Sequence, residues 1–595
     1  MPLWTLGLAM ESDASAALAR DGEIVVAISE ERLSRVKGQW GYPWRSVNEC
    51  LRIAGIRRQD VDFFSVVLNK FPSSYFRRPS RVDECLEAWH RFRRGILGRP
   101  EDVTVTLTDF FDEVRRAGAT PDGLFDWKRF HDDGFEKAQV RILDHHHAHA
   151  HSAAAFSGFD EALVVTVDCV GPCCAQHETE AHTLESIFQQ KLLPLSHTTS
   201  AYRNGKLQRL HFTDLDGSPG SFYGSVTQEL GFVSPRHEGK VTGLAAWGKT
   251  TVLDEPFRRV LSLSKDKTHF VSDQSGEKHG NISEARKAAI HKAAQGQSRE
   301  EIAGSAQRVL EQTILGHVQW ALQQTGLHNL ALAGGVFGNV KLNQHLMELP
   351  EVDRIFVFPA MSDTGLSAAA AQIPAPNIPR IAVRDVYWGP EFSNAEIETL
   401  LKQGGFPYER LTPSDRPRRI AQLIADSKVV GLFQGRMEFG PRALGNRTIL
   451  ASPCDARIND DLNQRLSRSE FMPFAPSVLA ERCEEIFENF KKGGHAAEFM
   501  TVTYTVREPW RAKIPAVVHV DGTARPQAVH REKNPRYYDI LKAYETITSL
   551  PVVVNTSFNV HEEPIVCAPG EALQALREKR IDILCIEDFL VSPQS

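Results

Sequence analysis

The sequence predicts an α/β protein of two unequal domains, the larger one internally duplicated. Three observations predict it. Segments of strand and helix character alternate almost throughout the 595 residues. A strand–turn–strand unit, "WTLGLAM" with "GEIVVAISEERLSRVK", recurs weakly as "EALVVTVDCVGPCC" with "HTLESIFQQKLL". Three prolines in six residues, Pro374, Pro376 and Pro379, then interrupt the chain, because proline locks φ and cannot continue a helix. The expected domains are residues 1–372 and 386–595, joined by a Pro-rich linker at 373–385.

Composition narrows the classes. A hydrophobic content of 42% and a charged content of 24% fit a soluble globular protein. The net charge of -6 lacks the basic excess of a duplex-binding face, so no nucleic-acid partner is expected. No apolar run reaches the ~18–20 residues that span a bilayer, so no membrane partner is expected. The opening "MPLWTLGLAMESDASAAL" lacks a basic start and carries Glu11 and Asp13, so it reads as a strand and turn. Nine scattered cysteines suit a reducing cytoplasm. Cys169, Cys173 and Cys174 lack a second pair at zinc spacing and read as core residues.

Taken in order, each segment has a local reason. Both repeat strands lead into an aspartate, Asp13 and Asp168, before small residues. Two such turns facing one nucleotide are the pattern of duplicated ATP-handling folds of the actin, sugar-kinase and Hsp70 type. There, turn amides hold phosphate oxygens and the carboxylate holds a metal. Between them lies "LDHHHAHAHSAAAF", with five histidines in seven residues. His145 and His149 stand at i and i+4, which on a helix puts both imidazoles on one face. His147 and His151 share that spacing, so spacing alone leaves the pair open, and a polar helix start is the plain alternative. Asp363, in "MSDTGLSAAAA", ends a further strand before a helix. Two histidines with Asp168 and Asp363 make an N/O donor set suited to Fe, Mn or Zn.

"RHEGKVTGLAAWGK" reads as a Gly-rich loop whose Glu238 and Lys240 are either phosphate or ribose contacts or a charged surface turn. "NLALAGGVFGNVKLNQHL" puts Gly334 and Gly335 between a strand and a helix, where backbone can approach a base and a helix start favours anions. Residues 71–137 and 176–216 read as insertions. Beyond the linker a helix is expected after "GPEFSNAEI". "GLFQGRMEFGPRALGNRTIL" is the densest signal: Arg436, Arg442 and Arg447 lie within twelve residues, interleaved with glycines. Arginine forks match phosphate and carboxylate, so an anion pocket is expected. "HVDGTARPQAV" adds Arg525, and "VVVNTSFNVHEEPIV" puts Asn555, Thr556 and Asn559 just after a buried strand.

In this order, "DHHHAHAHSA", "TVDCVG", "EGKVTGLAAWG", "LAGGVFGNVKLN", "SDTG", "QGRMEFGPRALGNRTIL", "PFAPSVL", "VDGTARPQ" and "NTSFNVHEEPIV" resemble the NodU/CmcH family of O-carbamoyltransferases. Members of that family decorate antibiotics and nodulation factors. The resemblance implies an actin-like (ASKHA) N-terminal domain, similar to the threonylcarbamoyl transferases, and a YrdC-like C-terminal domain. It also implies a two-stage reaction. Carbamoyl phosphate is cleaved in the C-terminal domain, and the carbamate reacts with Mg-ATP to give carbamoyl adenylate and pyrophosphate. The carbamoyl group then passes to a hydroxyl of a small-molecule acceptor and AMP leaves. A closed path would shield the labile adenylate from water.

Carried over residue by residue, the resemblance assigns His145, His149, Asp168 and Asp363 to a divalent metal, Fe2+ by analogy with relatives. It assigns Glu238, Gly239, Lys240, Gly334, Gly335 and Asn339 to the nucleotide. Arg436, Arg442, Arg447, Arg468, Arg525 and Asn555 go to carbamoyl phosphate. Asp13 and His146 are the catalytic candidates, His146 as a substrate or outer-sphere contact. Three departures stand out. Ser12 occupies the place of a family histidine. Cys169 replaces a glycine in "VDCVG". The family's "KxRExFR" is "LSRSEFM" here, so Leu466, Ser469 and Met472 replace charged residues and only Arg468 survives. Two other readings share the fold: carbamoyl-type transfer to a macromolecule, and a metal- and nucleotide-binding homologue without turnover. A homodimer is the default oligomer.

Overall fold

The computed structural model describes residues 2–11, 13–68, 70–76, 104–107, 111–112, 114–115, 118, 120–175, 181–274, 282–375, 382–468 and 473–594. Ser12, Ser469, Met472, Pro376, Pro379 and most of the first expected insertion lie outside the described residues.

The first sheet contains β1 (Trp4–Ala9), β2 (Ser15–Arg20), β3 (Glu23–Ser29), β4 (Phe63–Val67) and, after a short hairpin of β5 (Lys70–Pro72) and β6 (Thr104–Thr106), β7 (Gln139–Leu143). Their order is β3-β2-β1-β4-β7, with β1, β2 and β3 antiparallel and β1, β4 and β7 parallel. The second sheet contains β8 (Glu161–Cys174), β9 (Leu192–Arg203) and β10 (Lys206–Asp214), and, beyond a two-stranded β11 (Ser262–Leu263) and β12 (Phe270–Val271), β13 (Asn329–Ala333) and β14 (Arg354–Val357). Its order, β10-β9-β8-β13-β14, repeats the first with the same directions. The weak sequence repeat is therefore a structural duplication of the actin-like type.

Two fully buried helices fill the space between the sheets. His145–Ser157 is buried along its whole length. Its start is set by Asp144, whose carboxylate accepts the His147 N–H at 2.9 Å, and its end by Gly158 at φ 72°. Leu366–Gln372 is equally buried and lies against β1, where a Cβ on Gly7 would stand 2.2 Å from the Ala371 nitrogen. The run of alanines in both helices answers to this closeness, since larger side chains would force the layers apart.

The expected insertion at 176–216 is not one over its described residues: β9 and β10, at Leu192–Arg203 and Lys206–Asp214, are integral strands of the second sheet. Their Thr, Ser and His content obscured this. The hydroxyls of Thr198 and Thr199 are buried and paired with other hydroxyls and buried imidazoles, as in Thr199 to His317 at 2.7 Å. A polar-looking strand is stable inside when each polar group has a partner.

The C-terminal part opens with the expected helix, Asn394–Gly404, capped by Ser393. It is built on one mixed sheet of eight strands. These are β15 (Tyr408–Arg410), β16 (Val430–Phe433), β17 (Arg447–Ala451), β18 (Ala475–Leu479), β21 (Gln527–Val529), β22 (Val552–Ser557), β23 (Ile583–Ile586) and β24 (Phe589–Val591), in the order β15-β24-β23-β16-β17-β22-β18-β21. A side hairpin pairs β19 (Tyr504–Thr505) with β20 (Thr523–Ala524). The two parts dock closely: Arg32 donates to the Gly440 carbonyl at 2.9 Å and Arg35 to the Ile565 carbonyl at 2.8 Å. No described helix is long and apolar enough to cross a membrane.

Candidate functional site

The histidine-rich helix meets β8 at a bulge. Pairing of β8 with β9 shifts register between Val167 and Gly171, which frees Asp168 to turn toward the helix. The strand does not end at Asp168, as its sequence suggested, but runs on to Cys174. Asp363 arrives from the 3-10 turn that opens the helix Leu366–Gln372.

His145, His149, Asp168 and Asp363 thereby converge, with one ligand atom from each within 4.8 Å of the others. His149 Nε2 lies 3.2 Å from Asp168 Oδ2 and 3.5 Å from Asp363 Oδ1; His145 Nε2 lies 4.0 and 3.7 Å from the same atoms. Ligands at ~2.1 Å from one ion stand ~3.4 Å apart in a tetrahedron, so the spacing fits a metal. Both Nε2 atoms are buried without a hydrogen bond, which is costly unless something occupies the centre. The two-nitrogen, two-carboxylate donor set fits Fe, Mn or Zn. The structure also separates the two histidine pairs that spacing left open: His151 Nε2 is taken by Gln372 Oε1 at 2.9 Å.

The electrostatics follow from this packing. Burial opposes charge on His145, but Asp168 and Asp363 outweigh it and raise its pKa to about 9. Burial would raise Asp168, yet the two imidazoles hold it well below the usual carboxylate range. Asp13 is raised to about 6, first by burial, then by Glu31 and Asp363, against Lys37 and Arg32. It sits at φ 67° at the turn after β1. His146 is completely buried, with Nδ1 2.7 Å from Thr166 Oγ1 and Nε2 3.0 Å from the Leu195 carbonyl. Burial and the neighbouring imidazoles push it down to about 3. It has no open face for substrate and stands behind the metal ligands as a support.

The Gly-Gly turn abuts the same cluster. Gly334 has φ 104°, and a Cβ on it would stand 2.3 Å from the Val167 carbonyl oxygen, so only glycine fits. Gly335 N points at Asp168 Oδ2 at 3.4 Å. Asn339 caps the helix Val340–Met347 and exchanges hydrogen bonds with Gln307, so its side chain is committed. Glu238, Gly239 and Lys240 lie in the first turn of a helix, Glu238–Ala245, rather than in a loop. Burial raises the Glu238 carboxyl. Lys240 Nζ is 3.2 Å from His561 Nε2 of the C-terminal part. His237, His561 and Glu562 also cluster at metal-like spacing, but the Lys240 ammonium beside them disfavours a cation there.

A cavity of ≈ 250 Å³ separates the two parts of the chain. Gly239, Thr242, Gly338 and Val340 line one side; Arg442, Arg468, Arg525, Asn555, Thr556 and His519 line the other. No Asp or Glu is among the described lining residues, so the charge is wholly positive. Arg442 has no hydrogen bond or ion pair among the described residues, and burial lowers it to about 10. Arg468 is braced by Thr556, Ser557 and Asn559. Asn555 is tied to Ala443, Ser477 and Gln527.

Two expected pocket arginines are elsewhere. Arg447 is completely buried, gives its donors to the carbonyls of Gln434, Gly435, Asn446 and Pro390, and lies 3.7 Å over the Phe433 ring. Arg436 donates to the carbonyls of Gly389, Trp388 and Val25, the last in β3, and so ties the parts together. Density of arginine in one hairpin could not tell these roles apart. Leu466 belongs to the hydrophobic core, not to the cavity. Sequence reasoning missed His519, although it opens the very "HVDGTARPQ" run that supplied Arg525.

Comparison with known proteins identifies the family of both parts of the chain. The family described as carbamoyltransferase N-terminus matches residues 5–372, and carbamoyltransferase C-terminus matches residues 421–593. Nodulation protein NolNO of Sinorhizobium fredii is 31% identical, covering 98% of this chain and 79% of that protein. Nodulation protein NolO of Bradyrhizobium diazoefficiens is 35% identical over 76% of this chain and 78% of its own length. An uncharacterized protein of Synechocystis is 32% identical over 98% of this chain and 95% of its own.

Proposed function

The chain belongs to the carbamoyltransferase family, and from that premise we propose an ATP- and carbamoyl-phosphate-dependent O-carbamoyltransferase acting on a small molecule in the cytoplasm. The observation that carries this reading is the cavity between the parts, lined on one side by the Gly239 and Gly338 segments and on the other by Arg442, Arg468 and Arg525, with no acidic group among its described lining residues. Such a cavity takes a small phosphorylated anion and keeps it next to a nucleotide.

Arg442 and Arg525 grip the phosphate of carbamoyl phosphate, with Arg468 held ready by its hydroxyl and amide braces. Asn555, whose amide donors are taken by Ala443, Ser477 and Gln527, shapes the wall of this pocket rather than gripping the substrate. The carbamate left after phosphate departs attacks Mg-ATP, and carbamoyl adenylate and pyrophosphate result. The Gly334–Gly335 turn lets backbone approach the nucleotide beside Asp168. His145, His149, Asp168 and Asp363 would hold a divalent ion, Fe2+ by analogy, which supplies a Lewis-acid contact to nucleotide oxygens. Asp13, with its raised carboxyl, accepts the proton of the acceptor hydroxyl in place of the family histidine.

The test is to supply ATP, carbamoyl phosphate and candidate hydroxylated acceptors to pure, metal-loaded protein. Phosphate, pyrophosphate and AMP should form together, and the acceptor should gain a carbamoyl mass. Absence of carbamoyl-phosphate-dependent pyrophosphate would refute the reading.

A further inference from the structure

His519 is nine-tenths buried, lines the cationic cavity, and has an Nε2 with no hydrogen-bond partner among the described residues. Its other nitrogen is committed: Nδ1 is 3.1 Å from Asp521 Oδ1. Asp521 is in turn held by the Thr523 hydroxyl at 2.6 Å and its backbone N–H at 3.1 Å. Its second oxygen meets Lys341 Nζ at 3.0 Å. Burial alone would raise Asp521, but His519, Thr523 and Lys341 hold it far below the usual carboxylate range. An ionised Asp521 accepts the Nδ1–H and fixes the tautomer whose lone pair is on Nε2, the unpartnered nitrogen of a ring that lines the cavity. Lys341 comes from the helix Val340–Met347, so the relay is assembled across the two parts of the chain.

Among the described lining residues the other charged side chains are arginines, which cannot shuttle protons at neutral pH. Cleavage of carbamoyl phosphate needs such a shuttle. Water attack at the carbonyl carbon releases a proton, and breaking the bond from carbon to the bridging oxygen would otherwise expel a strongly basic phosphate trianion.

We infer that His519, oriented by Asp521, is the acid–base catalyst of phosphate departure in this cavity. This rests on the carbamoyl phosphate reading above. Nε2 takes a proton from the attacking water as the new C–O bond forms. The old C–O bond breaks with its electron pair on the bridging oxygen, and Nε2 hands the proton to that oxygen. The products are carbamate, hydrogenphosphate and one proton lost from carbamic acid, and His519 ends as it began. One imidazole serving attack and departure in turn is the logic of a histidine oriented by an ionised carboxylate. The turn itself is closed by the His519 backbone N–H onto the Thr523 carbonyl at 2.8 Å, a bond that substitution of the side chain leaves in place.

The experiment measures phosphate and pyrophosphate release by full-length protein with ATP, using wild type, His519→Asn and Asp521→Asn. His519→Asn keeps a donor toward Asp521 and preserves the turn. Phosphate release from carbamoyl phosphate should fall ~100-fold or more in kcat with KM little changed. Asp521→Asn should fall in the same sense. Ammonium plus bicarbonate, which form carbamate in water, should restore pyrophosphate release to both variants, because the step after phosphate departure does not use His519. A His519→Asn protein that cleaves carbamoyl phosphate at the wild-type rate, or that carbamate does not rescue, overturns the assignment alone. A wild type that releases no phosphate from carbamoyl phosphate overturns the cavity reading, and the role of His519 with it.

Discussion

Gly171 lies beneath the imidazole of His145: a Cβ on it would stand 2.1 Å from the ring carbon Cδ2. The ring is buried and cannot swing aside without leaving the cluster. Glycine here, three residues past Asp168 on the bulged strand, is thus part of the metal centre without offering a ligand. Gly171→Ala is expected to fold yet lose most of its bound metal, measured by plasma mass spectrometry after equilibration with Fe2+. Wild-type metal content in that variant would show that the ring position is not what holds the ion.

The same measurement separates the histidines. His149→Ala removes the Nε2 nearest Asp168 and should abolish both metal and transfer. His151→Ala leaves the four-residue cluster intact and should keep its metal, at some loss of stability from the stranded Gln372.

Arg442 and Arg447 are five residues apart and should fail in opposite ways. Arg442→Ala removes a cation without partners, so the urea midpoint should hold while KM for carbamoyl phosphate rises ~10–100-fold, the worth of a charged hydrogen bond. Arg447→Ala strands the Gln434 and Gly435 carbonyls in the core, while those of Asn446 and Pro390 keep backbone donors, and should cost at least about 2 kcal/mol, read as a lower urea midpoint. A stable Arg447→Ala with only a raised KM would return Arg447 to the pocket.

Asp13 carries the pH prediction. A base works only when ionised, so kcat of transfer should fall as pH drops through about 6, and Asp13→Asn should be slow at every pH. Glu31 and Asp363 raise this carboxyl beyond what burial does, while Lys37 and Arg32 oppose them. The sign for stability is the reverse of the usual aspartate. A carboxyl harder to ionise folded than unfolded weakens the fold as pH rises from about 4 to about 6. Asp13→Asn should therefore raise the urea midpoint at pH 7. An unchanged midpoint together with an unchanged pH profile would remove Asp13 from the chemistry.

The duplicated fold was legible because a strand leading into an aspartate and then small residues leaves the same trace twice, at a turn for Asp13 and at a bulge for Asp168. The ligand residues were legible as candidates because an i, i+4 pair and two turn aspartates are local patterns. The strands β9 and β10 were not, since a hydroxyl-rich strand reads as surface until its buried partners are known. Glu238 and Lys240 were misread as a loop because two glycines stand in what is one helix turn after another.

By itself, then, the sequence determined which residue types sit in which local frame: the two turn aspartates, the spaced histidines, the Gly-Gly turn and an arginine-rich hairpin. Tertiary structure alone decided convergence. It set His145 and His149, the pair the family pattern had assigned, against Asp168 and Asp363, moved Arg436 and Arg447 from pocket to framework, and brought His519, Asp521 and Lys341 together. The reason is that helix and strand periods fix directions only within an element, whereas a site is made where side chains from distant elements meet, and that is set by how the layers pack.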